Sequence, residues 1–430
     1  MHRLQLRRLR GLPLKELVRI GARGSPLSLA QTGQVVRALE EANPGVAFQV
    51  VPIRTRGDDP GRGPAGAAGV KGLFVKEIED ALLLGVVDLA VHSAKDLPSA
   101  LPEGLALCAA PERASPFDAL IVRAGGDLHG LRHGARIGTS SLRRAAQLLA
   151  FRPDFEIAPL RGNVDTRLGR VESGELDATL LGASGLIRLK GASFPVMTVD
   201  PGIMLPAPGQ GQLGLEMREG DARTEGICSP LDHHPSALAL ACERAFMEGL
   251  GAGCQTPAAC WARFEGTRLV CDALVCELDG SRVIRASGFV PGDRGVPGAH
   301  GVSGVSGDSG VSGVTADTGV GVVSGAPGVG VVSGAPGVDV VAGEPGVSGG
   351  TADTGVGGFP GFPGIVGGTG VRGVSEMSAD SGVPEVPGDQ GFAGLPAADK
   401  ARALGLCLAT RLLEQGGDSM IARAEGRVWP

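Results

Sequence analysis

The region from about residue 17 to residue 216 alternates apolar, strand-like runs with amphipathic, helix-like stretches. We predict strands at 18–22, 47–53, 86–91, 105–110, 119–122, 135–138, 155–160, 178–181 and 196–199. We predict helices at 25–42, 73–84, 141–151, 164–173 and 183–189. Helices between successive strands are typical of α/β proteins, so this region predicts helices packed on largely parallel sheets.

Two connections rich in proline and glycine, near 111–118 and 200–212, divide this region. They predict that the chain crosses into a second α/β lobe and returns, which makes a cleft with a hinge. A third unit follows, with a helix at 236–250 and strands at 258–263, 268–277 and 282–289. The predicted fold is therefore two hinged, periplasmic-binding-protein-like α/β lobes plus a smaller α+β C-terminal domain.

Residues 291–395 form a low-complexity segment of Gly, Val, Ser, Pro, Ala and Asp, in which the sequence VVSGAPGV occurs twice. So few large apolar side chains cannot offset the chain entropy that folding costs, and we predict a disordered insertion. After it, Ala401, Leu404, Leu408 and Leu412 recur on one face of a helix. We expect that helix to dock on the interrupted third unit, because loop-closure entropy grows slowly with length.

The predicted domains follow from these boundaries. They are a disordered extension at 1–16, a first lobe at 17–112 and 206–230, a second lobe at 113–205, a third domain at 231–290 and 396–424, and the insertion at 291–395.

The composition limits the class of protein. With 43% apolar residues, the 430-residue chain can build two or three cores. Its eight cysteines include no metal-type CxxC pair, which favours a reduced cytoplasmic protein without a metal site. No apolar run approaches the roughly 20 residues that span a bilayer. Residues 1–19 carry six cations among leucines, as a transit peptide or membrane-surface helix does, but we expect a disordered extension.

A basic segment lies between residues 132 and 170, where there are eight arginines and three acidic residues. This excess predicts an anionic partner. Two motifs, GTSSLRR at 138–144 and LRGNVDTRL at 160–168, place arginines at strand-to-helix junctions. Hydroxyl groups, backbone amides and guanidinium groups at a helix N-terminus favour a site for carboxylates or phosphates. Simple capping of the helix by Ser140 or Ser141 is the alternative.

The motif HSAKDLP at 92–98 follows a predicted strand. It places Ser93, Lys95 and Asp96 at the carboxyl end of a sheet, where open α/β sheets bind ligands. For Asp96 beside Lys95, a cap or an ion pair is the alternative to a catalytic role.

One cysteine, Cys254, lies in a glycine-rich turn, GAGCQTP at 251–257, whereas five of the other cysteines lie in apolar runs. A cysteine in an apolar run is usually a small buried hydrophobic residue. The glycines leave room for a bulky group attached to the Cys254 thiol.

Seven segments, in this order, closely resemble the hydroxymethylbilane synthase family, also called porphobilinogen deaminases. They are RGSPLSLAQ at 23–31, KGLFVKE at 71–77, HSAKDLP, GTSSLRR, LRGNVDTRL, PAPGQGQLGLE at 206–216 and GAGCQTP. The resemblance implies a transferase of tetrapyrrole biosynthesis. Such an enzyme joins four porphobilinogen molecules head to tail, releases ammonia at each step and then releases hydroxymethylbilane by adding water. It also implies a dipyrromethane cofactor held by a thioether.

The resemblance further implies roles for individual residues. Asp96 matches the catalytic aspartate, and Cys254 matches the attachment point of the cofactor. The residues that match cofactor contacts are Ser93, Lys95, Asp96, Thr139, Ser141, Arg143, Arg144 and Arg188. The residues that match substrate contacts are Arg23, Ser25, Lys71, Phe74, Arg161, Arg167 and Gln210. Lys71 and Phe74 belong to a lid at 56–74, in which Ala67 stands where relatives often carry a second lysine.

Two other classes of protein share some of these features. A non-catalytic solute receptor would have hinged lobes and an anion site, but it has no use for Cys254 in its setting. A nucleic-acid binder would use the arginines, but aromatic residues are only 3% and no basic stripe or known motif occurs. We therefore predict a cytoplasmic, monomeric enzyme that acts on porphobilinogen, with no metal, nucleic-acid or membrane partner.

Overall fold

The computed structural model describes residues 16–55, 75–123, 125–191, 195–251, 256–291 and 395–424, which all belong to one compact unit. The predicted lid with Lys71 and Phe74, Cys254, residues 1–15 and residues 292–394 lie outside the described residues. No helix in the described ranges is long and apolar enough to cross a membrane.

The strands and helices follow one another much as the sequence predicts. The strands are β1 (Glu16–Arg23), β2 (Val46–Ile53), β3 (Leu89–Ser93), β4 (Leu105–Ala109), β5 (Asp118–Val122), β6 (Arg136–Gly138), β7 (Glu156–Ala158), β8 (Ala178–Gly182), β9 (Met197–Thr198), β10 (Leu213–Arg218), β11 (Ala258–Glu265), β12 (Arg268–Cys276) and β13 (Val283–Pro291). The helices are α1 (Pro26–Ala42), α2 (Lys76–Leu83), α3 (Leu142–Phe151), α4 (Val164–Glu172), α5 (Ala183–Lys190), α6 (Ala222–Cys228), α7 (His234–Gly249), α8 (Ala397–Leu412) and α9 (Asp418–Ala424).

Two five-stranded sheets share one topology. Their strand orders are β2-β1-β3-β10-β4 and β7-β6-β8-β5-β9. In each sheet four strands run in one direction, and β10 or β5 runs antiparallel to both of its neighbours. The α/β class with largely parallel sheets is therefore confirmed. β5 and β10 run the other way because each enters its sheet directly after the chain has crossed from the other sheet.

The third sheet, β11-β12-β13, is antiparallel and is covered by α7 and α8. Ala401, Leu404, Leu408 and Leu412 are all fully buried in that core, as expected for a docked α8. Gly405 explains how closely the two helices approach, because a Cβ there would lie 2.1 Å from the Cys242 carbonyl oxygen. The smaller α+β domain of the predicted fold is thus present.

Three elements were missed by the sequence analysis: β10, α6 and α9. β10 is buried on both faces and lacks the alternation of a half-exposed strand. Cys228, which lies outside every predicted helix and strand, is fully buried at the end of α6. The capping residue of α6, Asp221, accepts a hydrogen bond from Thr224 N at 3.0 Å and so starts this short helix.

Candidate functional site

The HSAKDLP motif lies where the sequence predicts, at the carboxyl end of β3 in the first sheet. After Ser93 the chain makes a single 3₁₀ turn, Ala94–Asp96. Asp96 lines a pocket together with Arg23 and Ser25, which lie at the end of β1 and the start of α1. Ser93 is held by Gln31 of α1, whose Nε2 donates a hydrogen bond to the Ser93 Oγ at 2.9 Å. The structure therefore brings four of the predicted residues into one pocket.

The loop of the PAPGQGQLGLE motif packs against this turn. A Cβ on Gly209, whose φ is +73°, would lie 2.8 Å from the Lys95 amide nitrogen. The Ala94 amide donates to the Gln212 carbonyl oxygen at 3.0 Å. Only glycine fits both the backbone conformation and the close approach, so the glycine motif holds the Ala94–Asp96 turn in place from behind.

The two arginines of GTSSLRR converge on a buried carboxylate, Asp118. Arg143 Nη1 lies 2.8 Å from one oxygen of Asp118, and Arg144 Nη2 lies 2.7 Å from the other. Gln210 Nε2 also donates to Asp118, at 3.2 Å. Burial alone would raise the pKa of Asp118, but the two guanidinium groups hold it below its usual value. The arginines are thus held in place, and their combined charge exceeds that of the single carboxylate.

Several cations near this pair are destabilised by burial. Burial, and after it the charge of Arg144, lowers the pKa of Arg167 to about 10. Burial also lowers the pKa values of Arg188 and of Lys95, although Asp96 acts in the opposite direction on Lys95. Arg188 donates to the Gly211 carbonyl oxygen at 3.1 Å, and Arg167 donates to that of Gly162 at 3.0 Å. Neither forms an ion pair within the described part of the chain, so this region favours an anionic ligand.

Other predicted residues have local roles in the structure. Ser141 caps α3 by accepting a hydrogen bond from the Arg144 amide at 3.4 Å, as the capping alternative predicts. Thr139 is buried and accepts from the Ser141 amide at 3.1 Å. Arg161 is exposed, and none of the contacts described above brings it to the pocket. Cys254, Lys71 and Phe74 cannot be placed, because they lie outside the described residues.

The sequence did not predict a buried ion pair that connects the two segments between the lobes with the third domain. Arg113 Nη1 lies 2.7 Å from Glu243, whose side chain is fully buried. Arg113 also donates to the Gln210 carbonyl oxygen at 3.0 Å, and Glu243 accepts from the Gly209 amide at 2.5 Å. An arginine in a proline-rich connection and a glutamate in a helix far along the chain give no signal of a shared contact. Asp118 was missed for the same reason.

Comparison with known proteins gives one consistent result. Residues 18–226 match the family model described as "Porphobilinogen deaminase, dipyromethane cofactor binding domain", and residues 237–293 match "Porphobilinogen deaminase, C-terminal domain". A porphobilinogen deaminase of Roseiflexus castenholzii is 46% identical over 270 residues, which cover 63% of this chain and 89% of that protein. One of Syntrophotalea carbinolica is 47% identical over 274 residues, covering 64% and 87%. Among solved structures, the BvgS VFT2 domain of Bordetella pertussis aligns at 16% identity with a TM-score of 0.31, covering 57% of this chain and 97% of that domain.

Proposed function

The chain belongs to the porphobilinogen deaminase family, and we propose that the pocket around Asp96 carries out that family's reaction. This is the hydroxymethylbilane synthase reaction, in which four porphobilinogen molecules are joined head to tail with release of ammonia. The observation that carries the assignment of residues is the pocket that unites Asp96 with Arg23, Ser25 and Ser93. In this proposal, Asp96 lies beside the reacting pyrrole and Arg23 binds an acetate or propionate group of the substrate.

The cofactor of this family is dipyrromethane, and the residues present fit it. Dipyrromethane carries several carboxylates, and the region next to Asp118 holds Arg167 and Arg188, whose charged forms burial destabilises and which have no carboxylate partner among the described residues. When bound, the cofactor supplies the covalent primer that the chain of pyrroles extends. We propose that Lys95, Arg143, Arg144 and Arg188 bind its carboxylates and that Cys254 anchors it.

Asp96 is the proposed catalytic residue. Loss of ammonia from porphobilinogen leaves an electron-poor pyrrole with a positive charge spread over its ring. A fixed carboxylate beside the pyrrole N–H stabilises that charge and accepts the N–H hydrogen bond. Gly209 packs closely against this turn and already holds its backbone in place. The Asp96 carboxylate therefore needs no reorganisation when the charge develops.

The remaining proposed contacts bind carboxylates of the substrate and of the growing product. Arg23 and Ser25 lie in the pocket itself, and Arg161 and Arg167 belong to the second arginine motif. Guanidinium groups suit this role because they bind carboxylates in a bidentate way. Lys71, Phe74 and Gln210 complete the proposed substrate contacts.

We also propose that the protein acts as a monomer in the cytoplasm. The seven described cysteines are free thiols. Two of them, Cys260 and Cys271, have sulfur atoms 3.3 Å apart without a disulfide. Unjoined thiols at this distance are consistent with a reducing compartment.

Two substitutions test the proposed site. Asp96→Asn keeps the size of the side chain and one accepting oxygen but removes its charge, so we expect normal folding and a loss of turnover of about 100-fold or more. Cys254→Ser should abolish the added mass of two pyrrole units in intact mass spectrometry. As a control, Cys407→Ser changes a partly buried thiol on α8 and should leave both the mass increment and turnover intact. Substantial turnover by Asp96→Asn would exclude the proposed role of Asp96.

A further inference from the structure

A group of buried titratable side chains lies directly behind the catalytic turn. His92, the residue before Ser93, has its Nε2 atom 2.9 Å from Glu216 Oε2 of β10, and the two side chains are 3% and 0% exposed. The register of β3 and β10 pairs His92 with Gly214, two residues from Glu216, so both side chains point to the same face of the sheet. The contact therefore ties the last part of β3 to the neighbouring strand.

Charged groups from the elements around this face approach the pair. Glu79 of α2 is only 6% exposed, and α7 contributes Arg244, which donates to the Ser99 carbonyl oxygen at 2.8 Å. Lys76 and Asp80 lie on the same helix as Glu79 and act on it electrostatically. Burial, and after it the charge of Glu216, raises the pKa of Glu79 to about 7. His92 and Glu216 thus meet inside a buried cluster of polar side chains.

Buried polar groups without hydrogen bonds are rare and costly, so this cluster requires an explanation. Within the described part of the chain, Glu216 Oε1 and Glu79 Oε1 have no hydrogen-bond partner. His92 Nε2 lies 2.9 Å from Glu216 Oε2, but the two atoms form no hydrogen bond. An apolar pair at these positions would stabilise the sheet at least as well. A gain in stability therefore does not account for the contact.

We propose that His92 and Glu216 are positioning residues for the condensation reaction, which hold the end of β3 and thereby place Asp96. The inference rests on the proposed function. Successive residues of a strand point to opposite faces. Gln31 holds Ser93 on the α1 side, and Glu216 holds His92 on the α2 side. The two contacts clamp the strand immediately before the short turn that carries Asp96, so small movements of the strand are transmitted to the carboxylate.

The test measures kcat and KM of the cofactor-loaded enzyme with His92→Gln and Glu216→Ala. A carboxylate displaced from the reacting pyrrole should lower kcat by about 10- to 100-fold while KM changes less than about twofold. Glu216→Gln keeps the side chain's length and an oxygen near His92, so it should recover most of the kcat that Glu216→Ala loses. Should His92→Gln not fold, the two Glu216 variants provide the same comparison. Intact mass should show that each variant still carries the cofactor.

The matched control is Asp88→Asn, which breaks an ion pair at the opposite end of the same strand. Arg19 Nη2 donates to Asp88 Oδ1 at 2.8 Å, just before β3 begins. This variant should lower the melting temperature and leave kcat unchanged. The inference is overturned when His92→Gln or Glu216→Ala keeps kcat within twofold of the natural enzyme. It is also overturned when Asp88→Asn, at the same loss of stability, lowers kcat equally. A third contrary result is that Glu216→Gln recovers none of the kcat that Glu216→Ala loses. Asp96→Asn in the same assay separates the two claims, because only its retained activity counts against the proposed function.

Discussion

Replacing Glu79 by glutamine should stabilise the protein, and only at neutral to alkaline pH. The Glu79 side chain belongs to α2 and is buried in the polar cluster with Glu216, behind the turn that carries Asp96. Burial, and then the charge of Glu216, raises its pKa from the ordinary value of 4.5 to about 7. The folded protein therefore holds a proton on Glu79 that the unfolded chain releases above about pH 4.5. Glutamine resembles the protonated form and carries no such cost.

The size of the effect follows from the pKa. One pKa unit corresponds to about 1.4 kcal/mol, so ionising Glu79 in the folded state costs about 3 kcal/mol. Screening by water near this helix reduces the expected value to about 2 kcal/mol. Because the folded-state pKa is raised, the stability of the natural chain is fully present below the unfolded pKa and is lost as the pH rises through about 7. Glu79→Gln should then be about 2 kcal/mol more stable at about pH 8.5 and differ by less than about 1 kcal/mol at about pH 5.

Urea unfolding at the two pH values measures this difference. Glu40→Gln, on an exposed position of α1, provides the control and should change the free energy of unfolding by less than about 0.5 kcal/mol at either pH. An equal gain at both pH values would show that glutamine acts through packing or hydrogen bonding. A loss of stability at alkaline pH would refute the reasoning, since it would mean that the ionised carboxylate is well compensated.

Three further substitutions have definite expected outcomes. Asp118→Asn removes the carboxylate shared by Arg143 and Arg144, and should lower the free energy of unfolding by about 3–5 kcal/mol in urea titrations at neutral pH; a loss below about 1 kcal/mol would contradict the buried ion-pair network. Gly405→Ala forces α8 away from α7 and should lower the melting temperature. The control Gly169→Ala should raise or preserve the melting temperature, because a Cβ there meets nothing within 4 Å. Equal effects of the two substitutions would exclude the close helix contact. Gly209→Ala strains the turn behind Lys95 and should reduce kcat in steady-state assays by about 10-fold or more, and unchanged kcat would show that the turn tolerates the movement.

Local patterns identified most of the secondary structure and predicted the chemistry of the site. Helix α1 begins after Ser25 and helix α4 after Asn163, as expected from side chains that cap the first free amides. The glycines and hydroxyl groups of the motifs also mark their strand-to-helix junctions. These features depend on residues that are close in the chain, so the sequence alone indicates them. The family resemblance then assigned roles that no single motif could support.

Contacts between distant segments were decided by the tertiary structure. Asp118 lies 25 or more residues before Arg143 and Arg144 in the chain. Arg113 and Glu243 are also far apart in the chain, yet they form an ion pair. His92 and Glu216 share a face only because β10 returns to the first sheet antiparallel to β3. The sequence around a single charged residue does not reveal its partner, because sheet order and register determine which residues come into contact. The sequence by itself indicated a carboxylate-binding role for the arginine motifs and placed Asp96 at the end of a strand, and only the fold determined which buried polar groups contact these residues.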